Sequence, residues 1–272
     1  DRILELGEDQ EADLTDDNNH IVNIKAFVAG GYGNSNDVKV DYVIDPALCD
    51  GYNINGAAID VMPSNYYEVQ NPNQFTIASG QLLGGVKVKL TDAFFEDAKS
   101  WESGYVIPVK LTKAEGVSKI LSGKDMTFYR VKFVNPWTAT YLRKGKDVIN
   151  GTESHRCFQY VEKAEVIKVV TKGLNKSQVT VAFKDAAGNA HNVDLLLTFN
   201  GDDCTISSNT NGVEVSGSGK FVKKDQLMGE FKRNTLYLNY NVKSADLGTI
   251  ETTDTMVVRN RGIEFKTFVP KK

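Results

Sequence analysis

From Ile21 onward the chain alternates apolar and polar residues with a period of two, the pattern of strands with one buried and one wet face. Val22, Ile24, Ala26 and Val28 share one side of the first run, Asn23, Lys25 and Phe27 the other, and Ala29-Gly30-Gly31 ends it. Asp37–Ile44 repeats the pattern through Val38, Val40 and Tyr42 until Asp45-Pro46 stops it. Tyr66–Val69, Gln74–Ile77, Gly85–Leu90, Tyr105–Leu111 and Met126–Val134 read as further strands. Two short helices are predicted among them. One has Asp92 as N-cap and runs through Phe94, Ala98 and Trp101 to Gly104; the other spans 114–121 and is closed by Gly123. About seven strands with turn signals roughly every ten residues predict a β-sandwich over residues 20–135.

Residues 1–19 are acidic and without a clean period, and are read as a flexible leader with one strand near Ile3–Leu6. Asn135-Pro136-Trp137 marks the domain boundary, because proline excludes Asn135 from the helical region and cannot donate to a sheet. Residues 136–272 form the second domain, with strands at 155–161, 164–171, 178–184, 191–199, 204–207, 213–216, 234–242, 255–259 and 263–269. Asp185–Asn189 is a hairpin signal. Leu236, Leu238, Tyr240 and Val242 alternate with Tyr237, Asn239 and Asn241. Sequential antiparallel strands of this number remove their edges by closing, so a lipocalin-like barrel is predicted. The fold class is all-β.

Composition narrows the function. With 272 residues, 41% hydrophobic and 25% charged, the chain has apolar material for one core in each of two domains. A net charge of -3 and a pI near 5.7 argue against a nucleic-acid partner. No apolar run of about eighteen residues is present to span a membrane as a helix. The start at Asp1, without methionine or signal sequence, is read as a trimmed or mature product. Cys49, Cys157 and Cys204 have no C-x-x-C spacing and are read as buried thiols.

Catalytic patterns are missing: no H-E-x-x-H, no G-x-S-x-G, no phosphate loop. His155 and Cys157 share a strand face but have no partner motif, so no metal, cofactor or enzyme activity is expected. Gly30-Gly31 and Gly84-Gly85 read as loop and bulge glycines. The aromatics hold more promise, since sugar rings stack their apolar faces on aromatic ones while polar neighbours bond the hydroxyls. Trp137, just past the boundary proline, is a candidate for an exposed position in an interdomain cleft, with core packing as the alternative. Tyr66 and Tyr67 are adjacent on a strand, so one of them is expected to face outward. Tyr237 lies on the polar face with Asn239 and Asn241.

Tyr66-Tyr67-Glu68-Val69, Phe75-Thr76-Ile77-Ala78-Ser79-Gly80 and Gly104-Tyr105-Val106-Ile107-Pro108-Val109, followed by Leu236-Tyr237-Leu238-Asn239-Tyr240 and Asp254-Thr255-Met256-Val257-Val258-Arg259-Asn260-Arg261, together resemble a family of Bacteroidetes cell-surface lipoproteins. The resemblance implies an immunoglobulin-like N-terminal domain, also found at the front of some family 18 endo-β-N-acetylglucosaminidases, and a lipocalin-like C-terminal domain. It further implies export, a lipidated cysteine upstream of Asp1, an outer-membrane location and a setting in polysaccharide utilisation. No catalytic residue carries over: the hydrolase pattern D-x-x-D-x-D-x-E is missing, and Asp13, Asp16 and Asp17 do not reproduce it. The expected function is non-enzymatic glycan binding or adhesion by a monomer, with a structural or assembly role in a surface complex as the alternative. The expected partner is a glycan or a surface-complex protein, and membrane contact is expected only through the lipid anchor.

Overall fold

Two large hydrophobic cores organise the chain, one belonging to residues 1–133 with 264–272 and the other to residues 134–263. The structure, a computed structural model, describes residues 3–6, 10–14, 20–29, 34–156, 160–263 and 266–272, with backbone alone at 3–6, 10–14 and 266. Gly30-Gly31, Asp16-Asp17 and Cys157 lie outside the described residues.

Unit 1 contains β1 (Ile3–Leu6), β2 (Gln10–Leu14), β3 (Ile21–Ala29), β4 (Val38–Ile44), β5 (Asn53–Ile54), β6 (Ala57–Ala58), β7 (Tyr67–Val69), β8 (Gln74–Ile77) and β9 (Leu83–Leu90). The helices α1 (Asp92–Glu96) and α2 (Lys99–Glu102) follow, then β10 (Tyr105–Glu115), β11 (Lys119–Ile120) and β12 (Met126–Phe133). One sheet runs β11-β1-β3-β9-β7; the other runs β2-β12-β10-β4-β8 and gains a terminal strand from the end of the chain. The inward rows Val22, Ile24, Ala26, Val28 and Val86, Val88, Leu90 share one core with Val38, Val40, Tyr42, Ile107, Val109 and Val131. That is the predicted immunoglobulin-like sandwich.

Several details differ from the sequence reading. The strand expected near Ile3–Leu6 is present as β1, which pairs antiparallel with β3, but the leader predicted over 1–19 holds a second strand, β2, which pairs parallel with β12. Both cover sheet edges whose N–H and C=O groups otherwise lack partners. The single helix capped by Asp92 is two short ones with Thr91 as the first cap, and Trp101 is only half-buried. No helix spans 114–121, because Lys113, Ala114 and Glu115 continue the ladder opposite Asp41, Val40 and Lys39, and sheet pairing overrides local propensity. Gly84 and Gly85 sit inside β9 rather than in a loop. A Cβ on Gly85 would stand 1.9 Å from the Ile24 carbonyl oxygen, so the close approach of β3 to β9 requires glycine.

Unit 2 contains β13 (Ala139–Ile149), β14 (Thr152–Arg156), β15 (Glu165–Gly173), β16 (Lys176–Lys184), β17 (Ala190–Asn200), β18 (Asp203–Ser208), β19 (Val213–Met228), β20 (Phe231–Ser244) and β21 (Gly248–Asn260). Neighbours pair antiparallel in chain order from β15 onward. The β13–β21 ladder, from Tyr141↔Val258 to Ile149↔Ile250, closes an eight-strand barrel. Strand β14 extends the wall beside the second half of β13, with Gly145 opposite Arg156. Tyr141, Val169, Val181, Leu195, Leu197, Leu236, Leu238 and Met256 fill the interior, as small barrels require. The second domain does not run to residue 272 as predicted. The last strand, β22 (Lys266–Thr267), pairs with β2 in unit 1, and Lys271 exchanges two backbone hydrogen bonds with Asn53.

Both described cysteines are buried and free. Burial, then the Asp50 charge, pushes the Cys49 thiol up to about 11. Burial, then the Asp203 charge, pushes Cys204 up to about 12. Thiolate is the nucleophile, so iodoacetamide at mildly alkaline pH is expected to leave both unmodified in the folded chain and to label them in denaturant. Peptide mass spectrometry reads the difference; native labelling of Cys204 would contradict its place in the barrel core.

Candidate functional site

The four aromatics singled out in the sequence fall into three environments. Trp137 is 8% exposed and stacks on Phe199, with ring centroids 3.8 Å apart and planes 5° from parallel. Its carbonyl accepts the buried Tyr141 hydroxyl at 2.7 Å. The exposed position expected for Trp137 is therefore corrected: the chain turns inward after Pro136, because Asn135 is pinned. The Asn135 amide donates to the Lys176 carbonyl at 2.8 Å and to Ser177 Oγ at 2.9 Å, and its Oδ1 accepts the Thr138 N–H at 3.1 Å.

Tyr66 and Tyr67 do not alternate across a strand. Tyr66 closes a single helical turn, Ser64–Tyr66, and only Tyr67 enters β7. Both are half-buried against the unit 1 core, which corrects the outward orientation expected for one of them. The Tyr66 hydroxyl donates to Asp97 Oδ2 at 2.9 Å, and the Tyr105 hydroxyl donates to the same oxygen. The Tyr105 bond, then the Lys99 backbone N–H, holds the Asp97 carboxyl below its ordinary range.

Tyr237 is different. It stands on the barrel's outer side, opposite in parity to Leu236 and Leu238, and is half-buried. Its hydroxyl donates to Asp225 and accepts from Gln226 Nε2 at 2.7 Å, so the β19 bulge between Val222 and Gln226 fixes the phenol in place.

Around Tyr237 the outer wall carries an uninterrupted polar array. Thr205 of β18 faces Ser218 of β19, Ser218 faces Asn239 of β20, and Asn239 faces Thr253 of β21. All four are exposed. The rows on either side read Lys220, Tyr237, Thr255 and Ser216, Asn241, Glu251. Cross-strand neighbours lie about 4.5–5.5 Å apart and the strands about 4.8 Å apart. The result is a lattice whose central row is made of short hydroxyl and amide groups, with Lys220, Tyr237 and Glu251 among its flanks. Among the described residues, none of Thr205, Ser218, Asn239 and Thr253 has a side-chain hydrogen bond to another residue. The wall from β15 to β17 contrasts with it, since there Thr180 is bonded to Asp194 and the exposed groups include Val166 and Ala182.

Inside the same barrel lies an ionic cluster that sequence reading did not find. Arg143 of β13 is 1% exposed, and its Nε lies 3.0 Å from Asp254 Oδ2, within ion-pair distance but without hydrogen-bond alignment. Its Nη1 donates to Glu165 Oε2 at 3.0 Å and its Nη2 to the Tyr240 hydroxyl at 3.3 Å. Asp254, fully enclosed, accepts the Tyr240 hydroxyl at 2.8 Å and also meets Arg156, which bridges onward to Asp147. Thr252 donates to Asp147 Oδ1 at 2.8 Å. Burial works against the Arg143 cation, but the Asp254 carboxylate, the Tyr240 hydroxyl and the Glu165 carboxylate outweigh it and hold its pKa above the ordinary value. Gly145 makes room, since a Cβ there would lie 2.7 Å from Asp254 Oδ1 and 2.1 Å from the Thr253 carbonyl oxygen. Each charged group of the cluster has an opposite charge within ion-pair distance, and we assign it a structural role. No group of three or more metal-ligating side chains occurs among the described residues.

Residues 136–262 match the family described as Domain of unknown function (DUF5627), and residues 5–118 match a family of N-terminal domains. No curated protein matches the chain. A solved structure of unknown function from Bacteroides ovatus is 31% identical, with a TM-score of 0.89 over 99% of this chain and 98% of that one. A two-domain protein with unknown function from Bacteroides fragilis is 14% identical over 98% of this chain and 92% of that one, with a TM-score of 0.33, a likeness too slight to inform the fold.

Proposed function

This chain belongs to the Bacteroidetes family of two-domain proteins that includes the Bacteroides ovatus protein, and we propose that it is a non-enzymatic, surface-exposed glycan-binding or adhesion protein. The observation that carries this reading is the lattice on β18–β21. Hydroxyl and amide side chains both donate and accept, as sugar hydroxyls do, so a face of them matches a polysaccharide chain without needing charge. Short side chains on a closed sheet lose little rotamer entropy when a ligand settles on them. Tyr237 adds a positioned ring at the edge of the array for a sugar's apolar face. The finer reading is an exported lipoprotein of the outer membrane, anchored through a cysteine upstream of Asp1 and working beside polysaccharide-utilisation machinery. An assembly role in a surface complex is the second reading, and the unit 1 sheet edges are where a partner strand would add.

Calorimetric titration with a panel of neutral and acidic polysaccharides tests the proposal. Binding is expected without release of reducing sugar. Tyr237→Ala is expected to weaken it by about 1–3 kcal/mol, by analogy with aromatic stacking on bases. Undiminished affinity in Tyr237→Ala would move the site off this face.

A further inference from the structure

We propose that the β19–β20 hairpin tip is a membrane-contact element that seats its apolar end in the interface of an anionic lipid surface. Beyond the barrel this hairpin is a lone two-stranded ribbon. The β18–β19 ladder stops at Asp203↔Lys220 and the β20–β21 ladder at Thr235↔Val257, whereas β19 and β20 continue through Gln226↔Arg233, Leu227↔Lys232 and Met228↔Phe231. A ribbon with no third strand and no core is marginal unless something else covers it.

The tip is apolar in the wrong place for a soluble loop. Leu227 is 60% exposed and Phe231 67%. Directly paired residues share a face, so Met228 and Phe231 lie on one side of the ribbon, and Leu227 lies on the other with Lys232. A flat protein partner would cover one side only. A bilayer interface surrounds the tip and accommodates both.

The charges fit the same occupant. The chain as a whole carries -3, yet residues 223–233 hold Lys223, Lys224, Lys232 and Arg233 against Asp225 and Glu230. Four cations against two carboxylates leave this segment with an excess of two positive charges beside the apolar end. Arg233 lies 5.9 Å from the Phe231 ring centroid, which places a cation at the level of the aromatic, the arrangement suited to headgroups above and acyl chains below. Glu162 accepts the Gly229 N–H at 3.1 Å and braces the turn from the side, bringing the 57%-exposed Tyr160 from the same short segment.

Flotation of the full chain with phosphatidylcholine vesicles, with and without phosphatidylglycerol, tests this. Binding is expected with the anionic vesicles only, and it is expected to fall at high salt. Leu227→Ser with Phe231→Ser is expected to abolish it, with the unfolding midpoint unchanged because neither side chain is in a core. Lys224→Gln with Lys232→Gln is expected to weaken partition about thirtyfold, at about 1 kcal/mol per cation near an anionic surface. Failure of the unmodified chain to float with any vesicle would overturn the proposal and assign the tip to a protein receptor. Equal flotation of the double serine variant would overturn it as well. Neither outcome bears on glycan binding, because none of the substituted residues belongs to the lattice of Thr205, Ser218, Asn239 and Thr253.

Discussion

Asp254→Ala is expected to destabilise unit 2 by about 3–5 kcal/mol, the cost of leaving a buried charge without its partner. Asp254 has no exposed side-chain surface and stands between Arg143 and Arg156 with the Tyr240 hydroxyl as a further donor. Its removal leaves Arg143, itself 1% exposed, with Glu165 at the cluster's edge. A raised cation pKa contributes stability below the unfolded value and loses it only as pH rises through the folded one. For Arg143 both lie above ordinary working pH, so its pairing adds no pH dependence there. Replacing the pair together, as Arg143→Met with Asp254→Leu, is expected to recover part of the loss, since two apolar groups need no partner. Denaturant unfolding of the single and double variants gives the comparison. A double variant less stable than Asp254→Ala would mean that the ions hold this barrel better than packing can.

Trp137→Ala is expected to cost unit 2 a similar amount, about 3–5 kcal/mol, because it empties a large volume beside Phe199 that a closed barrel cannot collapse to fill. The same variant, where folded, is expected to bind glycans as the parent does. Loss of affinity without loss of stability would return Trp137 to the ligand site from which its burial removes it.

What was legible in the sequence was whatever alternates cleanly. Leu236, Leu238, Tyr240 and Val242 face inward along β20 as their spacing requires. Asp185 shapes the β16–β17 turn by accepting the Ala187 and Asn189 N–H groups. The strand that closes the barrel was missed for a physical reason. The inward positions of β13 include Arg143, Gly145 and Asp147, so the period-two hydrophobic signal is broken by the ionic cluster itself. Only the pairing of β13 with β21 shows that those residues face Asp254. Tyr66 was misread because Pro63 starts a helical turn just ahead of it. Tyr237 was legible as an outward ring, but the array around it was not. Thr205, Ser218, Asn239 and Thr253 come from four strands, and register, which joins them, is set by turns and bulges rather than by any one segment.

The most direct test of glycan recognition by this wall is a titration of the tightest-binding polysaccharide against Asn239→Arg, a substitution at an exposed, centrally placed position that leaves both cores intact. The account predicts that the long side chain covers the lattice and removes binding while the unfolding midpoint stays where it was. Full affinity in Asn239→Arg would contradict it.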